Sequence, residues 1–358
     1  MPAMTLIDSS QPIRPQEGFD EAPLEAFLRE QLPDLEGPMS VRQFPSGFSN
    51  LTYHLRFGAR DLVMRRPPIG TKAHSAHDMK REFTILKALK PLFPYCPQAL
   101  LYCDDQTLLG SPFYVMERLR GIILRKHLPP GLTFAPREMR QLCETWLDVL
   151  IELHRIDYRR AGLEDMGRPT GYVRRQVEGW TRRYRSAQTD DAPDFEPVMA
   201  WLADHMPPDT SAPAIIHNDY RFDNVVLDEG EPRKIIGVLD WEMATVGDPL
   251  MDLGNTLAYW VQADDTEELQ LMRLMPTHLE GALTRKALCD RYLEKTERSV
   301  ENFAFYSAFG LFRLAVIAQQ IYYRYYHGQT GDKRFKMLIL GVHVLAKTAR
   351  RVIREGFF

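Results

Sequence analysis

Residues Ile215 to Asp252 read IIHNDYRFDNVVLDEGEPRKIIGVLDWEMATVGDPLMD. Val225 to Leu227 and Ile235 to Leu239 are short apolar runs joined by a Glu-Gly-Glu-Pro turn, a pattern that predicts the two strands of a hairpin. Asp219 and Asn224 then bracket a loop entering the first strand, and Asp240 stands where the second strand stops. Taken singly, each is an ordinary turn former, because Asp and Asn side chains hydrogen-bond their own backbone. The ordered set, with apolar strands between its members, asks for a chemical reading.

Phosphoryl transfer to a hydroxyl is the chemistry such a set serves, since that reaction needs positioning and charge neutralisation more than covalent help. A carboxylate beside the attacking hydroxyl orients it and takes its proton, the role that Asp219 fits. Mg²⁺ is a hard cation that keeps several waters, so one carboxylate and one amide oxygen suffice beside the phosphates. Asp240 and Asn224 supply that pair. Kinases show the same order: a catalytic Asp, an Asn five residues later, and a second Asp after a hairpin. A metal-hydrolase reading of His217 and Asp219 lacks a second His cluster at ligand spacing.

His217, Asp219, Arg221, Asp223 and Asn224 follow the pattern H-x-D-x-R-x-D-N, and Leu239, Asp240, Trp241, Glu242, Ala244, Gly247, Asp248, Pro249, Asp252 and Leu253 follow L-D-W-E-x-A-x-x-G-D-P-x-x-D-L. On these residues the chain resembles the aminoglycoside phosphotransferase family, and within it the kinase-like proteins associated with acyl-CoA dehydrogenases. The resemblance implies an α+β, protein-kinase-like two-lobed fold, with an antiparallel β-sheet N-lobe and a mostly helical C-lobe. It implies ATP and Mg²⁺ as cofactors and a small-molecule hydroxyl substrate, a hydroxyacyl-CoA or related metabolite being favoured over an aminoglycoside. A functional link to an acyl-CoA dehydrogenase goes with it. Choline-like, homoserine-like and sugar acceptors stay open, as does a non-catalytic nucleotide-binding module. Trp241 and Glu242 stand where protein kinases have Phe-Gly, so a mobile activation segment of that type is not expected. By the same resemblance Asp252 braces the catalytic loop through hydrogen bonds. Asp248, before Pro249, is placed to cap a helix, and Asp223 is a second carboxylate near the metal, though Asn224 fits the ligand position better.

Upstream, Ser40 to Phe44 and Leu51 to Phe57 alternate as two strands around a tip that carries Ser46, Gly47, Phe48, Ser49 and Asn50. Glycine and small hydroxyl side chains let such a tip approach phosphates. Asp61 to Arg66 reads as a strand with Val63 and Arg65 on one face and Leu62, Met64 and Arg66 on the other. Kinases place a lysine at the position of Arg65; an arginine keeps the charge but presents a planar fork. His77 to Lys90 has helical spacing, and Glu82 on it is expected to pair with Arg65 and hold it toward phosphates. Leu100 to Cys103 and Phe113 to Leu119 read as further strands. Met116, Glu117 and Arg118 match the family's linker between lobes, where backbone groups read the adenine edge.

These patterns divide the chain into a flexible tail (1–18), a nucleotide-binding N-lobe (19–117) and a C-lobe (118–358) with the catalytic loop and substrate-binding helices. Helical patterns fit Phe19 to Leu32, Pro136 to His154, Thr170 to Ser186, Phe195 to His205, Pro249 to Gln262, Leu283 to Lys295 and Phe335 to Arg354. Phe303 to Ala318 is apolar, but Ser307, Gly310 and Arg313 break it; it is shorter than a membrane span and predicts a buried helix. No basic start leads into a long apolar run, and Cys96, Cys103, Cys143 and Cys289 are unpaired in spacing, so a cytoplasmic protein with reduced thiols is expected. A net charge of −3 gives no general attraction to nucleic acid. The arginines from Arg174 to Arg185 around Trp180, with Lys347, Arg350, Arg351 and Arg354, read as solvated helix faces or as a surface suited to an anionic substrate. His154 and Asp157 read as a hydrogen-bonded pair at a helix end.

Overall fold

The computed structural model describes residues 6–45, 50–68, 78–301 and 303–357. Two compact units make up the chain: 1–123 with 161–166 and 224–244, and 124–160 with 167–223 and 245–358.

The first unit is built on an antiparallel five-stranded sheet in the order β1-β2-β3-β5-β4: β1 (Met39–Gln43), β2 (Leu51–Phe57), β3 (Arg60–Arg66), β4 (Ala99–Cys103) and β5 (Phe113–Glu117). Alternation along the central β3 puts Leu62 and Met64 on one face, where α1 (Glu21–Gln31) lays down Leu24 and Leu28 and α3 (Gln106–Leu109) lays down Leu109. Each leucine fully buried in this way contributes about 1.5–3 kcal/mol. Arg66 shares that apolar face because its guanidinium is satisfied by the carbonyls of Leu109 (3.0 Å) and Glu17 (3.1 Å) and the Tyr53 hydroxyl (3.2 Å). The opposite face of β3 turns Val63 and Arg65 toward α2 (Met79–Leu89), which starts where the Asp78 side chain accepts the N–H of Arg81. That cap is worth about 1 kcal/mol.

A smaller sheet, β6 (Ile122–Ile123), β8 (Val225–Leu227) and β9 (Ile235–Val238), completes this unit in the order β6-β8-β9. Pairing of β8 with β6 is what groups the hairpin with the first unit. The described part of the tail, residues 6–18, is not loose. Gln11 exchanges backbone hydrogen bonds with Gln43 (2.7 and 2.8 Å), and the Asp8 N–H donates to Gly121 (3.2 Å). β1 is an edge strand, so Pro12 and Pro15 beside the pairing residue cost it nothing.

The second unit is helical: α4 (Pro136–Arg155), α5 (Tyr172–Ser186), α6 (Glu196–Asp204), α7 (Pro249–Ala258), α8 (Glu267–Met272), α9 (Arg285–Thr296), α10 (Ala304–Tyr326) and α11 (Leu338–Glu355), with β7 (Ala214–Ile216) paired antiparallel to β10 (Thr245–Gly247). α10 runs past Ala318, where the apolar stretch was expected to stop, and its 23 residues are long and apolar enough to cross a membrane. It serves instead as a core helix: 72% of its most apolar window is buried, against α5, α7 and α11. Glycines make the α7–α10 contact close, for a Cβ on Gly310 would lie 2.3 Å from the Gly254 carbonyl oxygen.

Candidate active site

In the first unit a buried cation gathers carboxylates. Arg65 and Glu82 are both buried, and Arg65 Nη1 donates to Glu82 Oε1. Its Nη2 donates to Asp240 Oδ1 at 3.0 Å and lies 3.6 Å from Glu242 Oε2. Burial works against the guanidinium charge, but Glu82, Asp240 and Glu242 restore it and hold Arg65 protonated well above its usual range. The same burial pushes the Glu82 carboxyl up, while Arg65 and the Trp241 N–H (3.3 Å) pull it down. Glu242 in turn accepts Asn50 Nδ2 at 2.7 Å, and Arg81 ties α2 to the carbonyls of Met166 (2.7 Å) and Ala244 (2.9 Å).

Asn224 and Asp240 lie at one end of the β8–β9 hairpin. Val225 pairs with Val238, and the Leu239 N–H donates to the Asn224 carbonyl at 2.8 Å, which brings the residue before β8 beside those that follow β9. Asp240 itself has φ 66° and ψ 65°, a left-handed conformation that only Asn, Asp and Gly adopt readily. Trp241 fixes the exit of the turn, with its indole N–H on the Val238 carbonyl (2.9 Å) and its ring edge-on to Phe93 (5.8 Å). Among the described residues no three His, Cys, Asp or Glu side chains gather as a metal cage. A carboxylate and an amide at one hairpin end suit Mg²⁺ that arrives with phosphates.

In the second unit the loop after β7 alternates. Tyr220 and Phe222 are buried against Trp146, at ring distances of 4.9 and 5.2 Å, and the Tyr220 hydroxyl donates to the Trp146 carbonyl (2.7 Å). Asp219, Arg221 and Asp223 fall between them, half-buried. Arg221 lies 3.3 Å from Asp219 Oδ2 and 3.3 Å from Asp223 Oδ1, with its guanidinium 4.6 Å over the Tyr259 ring. Burial, and then the Asp219 charge, push the Asp223 carboxyl up against the pull of Arg221.

The start of this loop hangs on Asp252. Its Oδ2 accepts the His217 N–H (2.8 Å) and its Oδ1 the Asn218 N–H (2.7 Å), the bracing role expected of it. Asn218 is left-handed (φ 64°), so the two hydrogen bonds hold a conformation that sequence alone does not guarantee. Behind Asp252, His154 Nε2 sits at 3.1 Å and His154 Nδ1 at 2.7 Å from the Tyr292 hydroxyl. The expected His154–Asp157 pair does not form, for Asp157 accepts the Arg159 N–H at the end of α4. Asp248 caps α7, accepting the Leu250 N–H at 2.8 Å.

Ser46, Gly47, Phe48 and Ser49 lie outside the described residues. Met116 and Glu117 belong to β5; Glu117 Oε1 accepts Lys90 Nζ (2.7 Å) and the Gln98 N–H (2.8 Å), while Arg118 binds Asp61 (3.3 Å) and the Asp8 carbonyl (2.8 Å). Of the basic helix faces, Arg185 pairs with Glu196 (2.7 Å) and Lys347 with Glu268 (3.0 Å). Sequence reading missed Glu242 as a third carboxylate beside Arg65, after Glu82 and Asp240; the signal available was its place two residues after Asp240.

A sequence profile described as the phosphotransferase enzyme family matches residues 40–282. Acyl-CoA dehydrogenase family member 10 of Mus musculus is 35% identical over 329 residues, covering 91% of this chain and 30% of that protein. Acyl-CoA dehydrogenase family member 11 of Gallus gallus is 34% identical over 362 residues, covering 99% of this chain and 45% of its own length. The chain thus spans less than half of these relatives. A solved structure described as a candidate aminoglycoside phosphotransferase from Ralstonia eutropha has a TM-score of 0.79 at 29% identity, over 95% of this chain and 100% of that one. Its likeness extends to the kinase-like α+β fold, with the antiparallel sheet first and the helices after.

Proposed function

The chain belongs to the phosphotransferase enzyme family, and from that membership we propose that it is an ATP- and Mg²⁺-dependent kinase that moves the γ-phosphoryl group to the hydroxyl of a small molecule. The observation that supports this reading is the end of the β8–β9 hairpin, where Asn224 precedes β8 and Asp240 comes two residues after β9, with Asp240 held at 3.0 Å by Arg65, whose other arm rests on buried Glu82.

Asp219 orients the acceptor hydroxyl and accepts its proton as the new P–O bond forms. Asp252 keeps the Asp219 loop in place by binding the two N–H groups before it. Arg65, held between Glu82 and Asp240, supplies the positive charge that meets the phosphates, and Glu82 positions it. Asn224 and Asp240 are the residues that would hold Mg²⁺, and the ion would supply neutralisation of phosphate charge. Leaving-group charge is thereby met by groups fixed before the reaction, so little reorganisation is needed.

The names of the relatives support a hydroxylated acyl-CoA thioester as acceptor, and a link to an acyl-CoA dehydrogenase acting on the same class of compound. The test is incubation with ATP, Mg²⁺ and a pool of hydroxylated acyl-CoA thioesters, followed by phosphorus NMR. A new phosphomonoester signal that needs Mg²⁺ is expected. ATP binding with no phosphoester from any hydroxylated compound overturns the reading in favour of a binding module.

A further inference from the structure

Buried arginines in this chain are paired. Arg65 has Glu82, Arg66 has two carbonyls, and Arg285 has Asp265 at 2.6 Å together with the Trp260 carbonyl at 2.6 Å. Arg313, on α10, is the exception. It is 3% exposed, yet among the described residues no carboxylate, carbonyl or hydroxyl oxygen is hydrogen-bonded to its guanidinium. Its partner is an indole: the guanidinium carbon sits 5.2 Å from the centre of the buried Trp180 ring, and that of Arg183 sits 4.7 Å from the same ring. Arg183 has no acidic partner among the described residues either, and burial together with the charges of Arg182 and Arg313 pulls it below its usual range. Like charges have therefore been brought together on one aromatic platform with nothing negative between them. The indole face attracts a guanidinium but offers no hydrogen-bond acceptor, so the N–H donors of Arg313 are left for the oxygens of an anion.

The location fits an acceptor site. Gly310, one turn before Arg313, packs on Gly254 and Ala258 of α7. Tyr259 follows directly, and its ring carries Arg221, the neighbour of Asp219. The Tyr259 hydroxyl is pushed up to about 12 by burial and by the Asp219 charge, with Arg221 and Arg313 pulling the other way, so both ends of this arrangement are felt at one hydroxyl.

Resting on the kinase reading above, we propose that Arg313, with Arg183 on the same indole, binds an oxyanion of the acceptor, a carboxylate or a phosphate, and so selects anionic acceptors over neutral and cationic ones. A guanidinium fork matches either group bidentately. The alternative, a cation held only to pack on Trp180, predicts a different response to mutation.

The experiment measures binding of inorganic phosphate and of acetate to the full chain without nucleotide, by tryptophan fluorescence and calorimetry, in wild type, Arg313→Gln and Arg313→Lys. At least one anion is expected to saturate the wild type, and whichever binds more tightly identifies the group. Arg313→Gln should weaken that binding by roughly tenfold or more, Arg313→Lys by less. The thermal midpoint of wild type should rise at saturating anion while that of Arg313→Gln stays nearly unchanged, whatever its value without anion. Failure of both anions to bind wild type, equal binding by Arg313→Gln, or an equal anion-induced rise of the midpoint in Arg313→Gln each overturns the proposal, and if Arg313→Gln does not fold, Arg313→Lys carries the same comparison. ATP turnover is measured separately, so an inactive protein that still binds the anion through Arg313 counts against the kinase reading alone.

Discussion

Arg65 donates to Asp240 at 3.0 Å while its other terminal nitrogen is bound to Glu82, so one guanidinium joins a helix carboxylate to a hairpin carboxylate inside the first unit. A planar fork does this with two separate terminal nitrogens in fixed geometry. Replacing Glu82 with Ala takes the acceptor from one arm of the buried guanidinium while Asp240 keeps the other, and about 1–3 kcal/mol of unfolding free energy should be lost, measured by urea titration. Arg65→Lys keeps a charge but replaces the two fixed arms with a single ammonium point charge. Its kcat/KM for ATP should fall roughly tenfold or more, measured by coupled assay; an unchanged value removes Arg65 from phosphate binding.

Asp219→Asn tests the acid–base role. Turnover should drop by roughly 10²–10⁴-fold, because the amide cannot take the hydroxyl proton. ATP affinity, read by calorimetry, should stay close to that of wild type.

Two buried carboxylates at the start of α7 are set in opposite directions. Burial alone raises Asp252, yet the bonds from His154 and the His217 N–H hold it below its ordinary value. A folded-state value below the unfolded one means that its stabilisation is complete above about pH 4 and is lost as the pH falls through the folded value. Asp248 is raised by burial despite its cap bonds, so its charged form is a net cost at neutral pH, relieved on acidification. Asp252→Asn should therefore lose about 2–4 kcal/mol at pH 7, with the deficit shrinking below pH 4. Asp248→Asn, which can still cap, should be neutral or slightly stabilising at pH 7. Urea unfolding at both pH values checks the pair.

The glycine contact between α7 and α10 has no slack. Gly310→Ala should cost about 1–3 kcal/mol by forcing the helices apart, with a larger loss of turnover than of ATP binding, because α7 carries Asp252.

What the sequence discloses is what its neighbours in the chain determine. Asn224 and Asp240 are visible because the strands that place them, Val225–Leu227 and Ile235–Val238, are adjacent and apolar. Arg65 and Glu82 follow from the alternation of one strand and the turn of one helix. His154 misleads for the opposite reason: its partner is Asp252, 98 positions away, while the local candidate Asp157 is taken up by the backbone. Arg313 reads as a break in an apolar run, and only packing on Trp180 and the lack of a counter-charge mark it out. The N-terminal prolines suggested a loose segment, yet pairing of Gln11 with edge residue Gln43 needs only a single free N–H on each.

The proposed joint role of Asn224 and Asp240 in holding Mg²⁺ is tested most directly by the affinity for ATP with and without Mg²⁺, in wild type and in Asp240→Asn. Mg²⁺ should tighten ATP binding at least roughly tenfold in wild type and have little effect in the variant. An equal Mg²⁺ effect in both proteins contradicts the site.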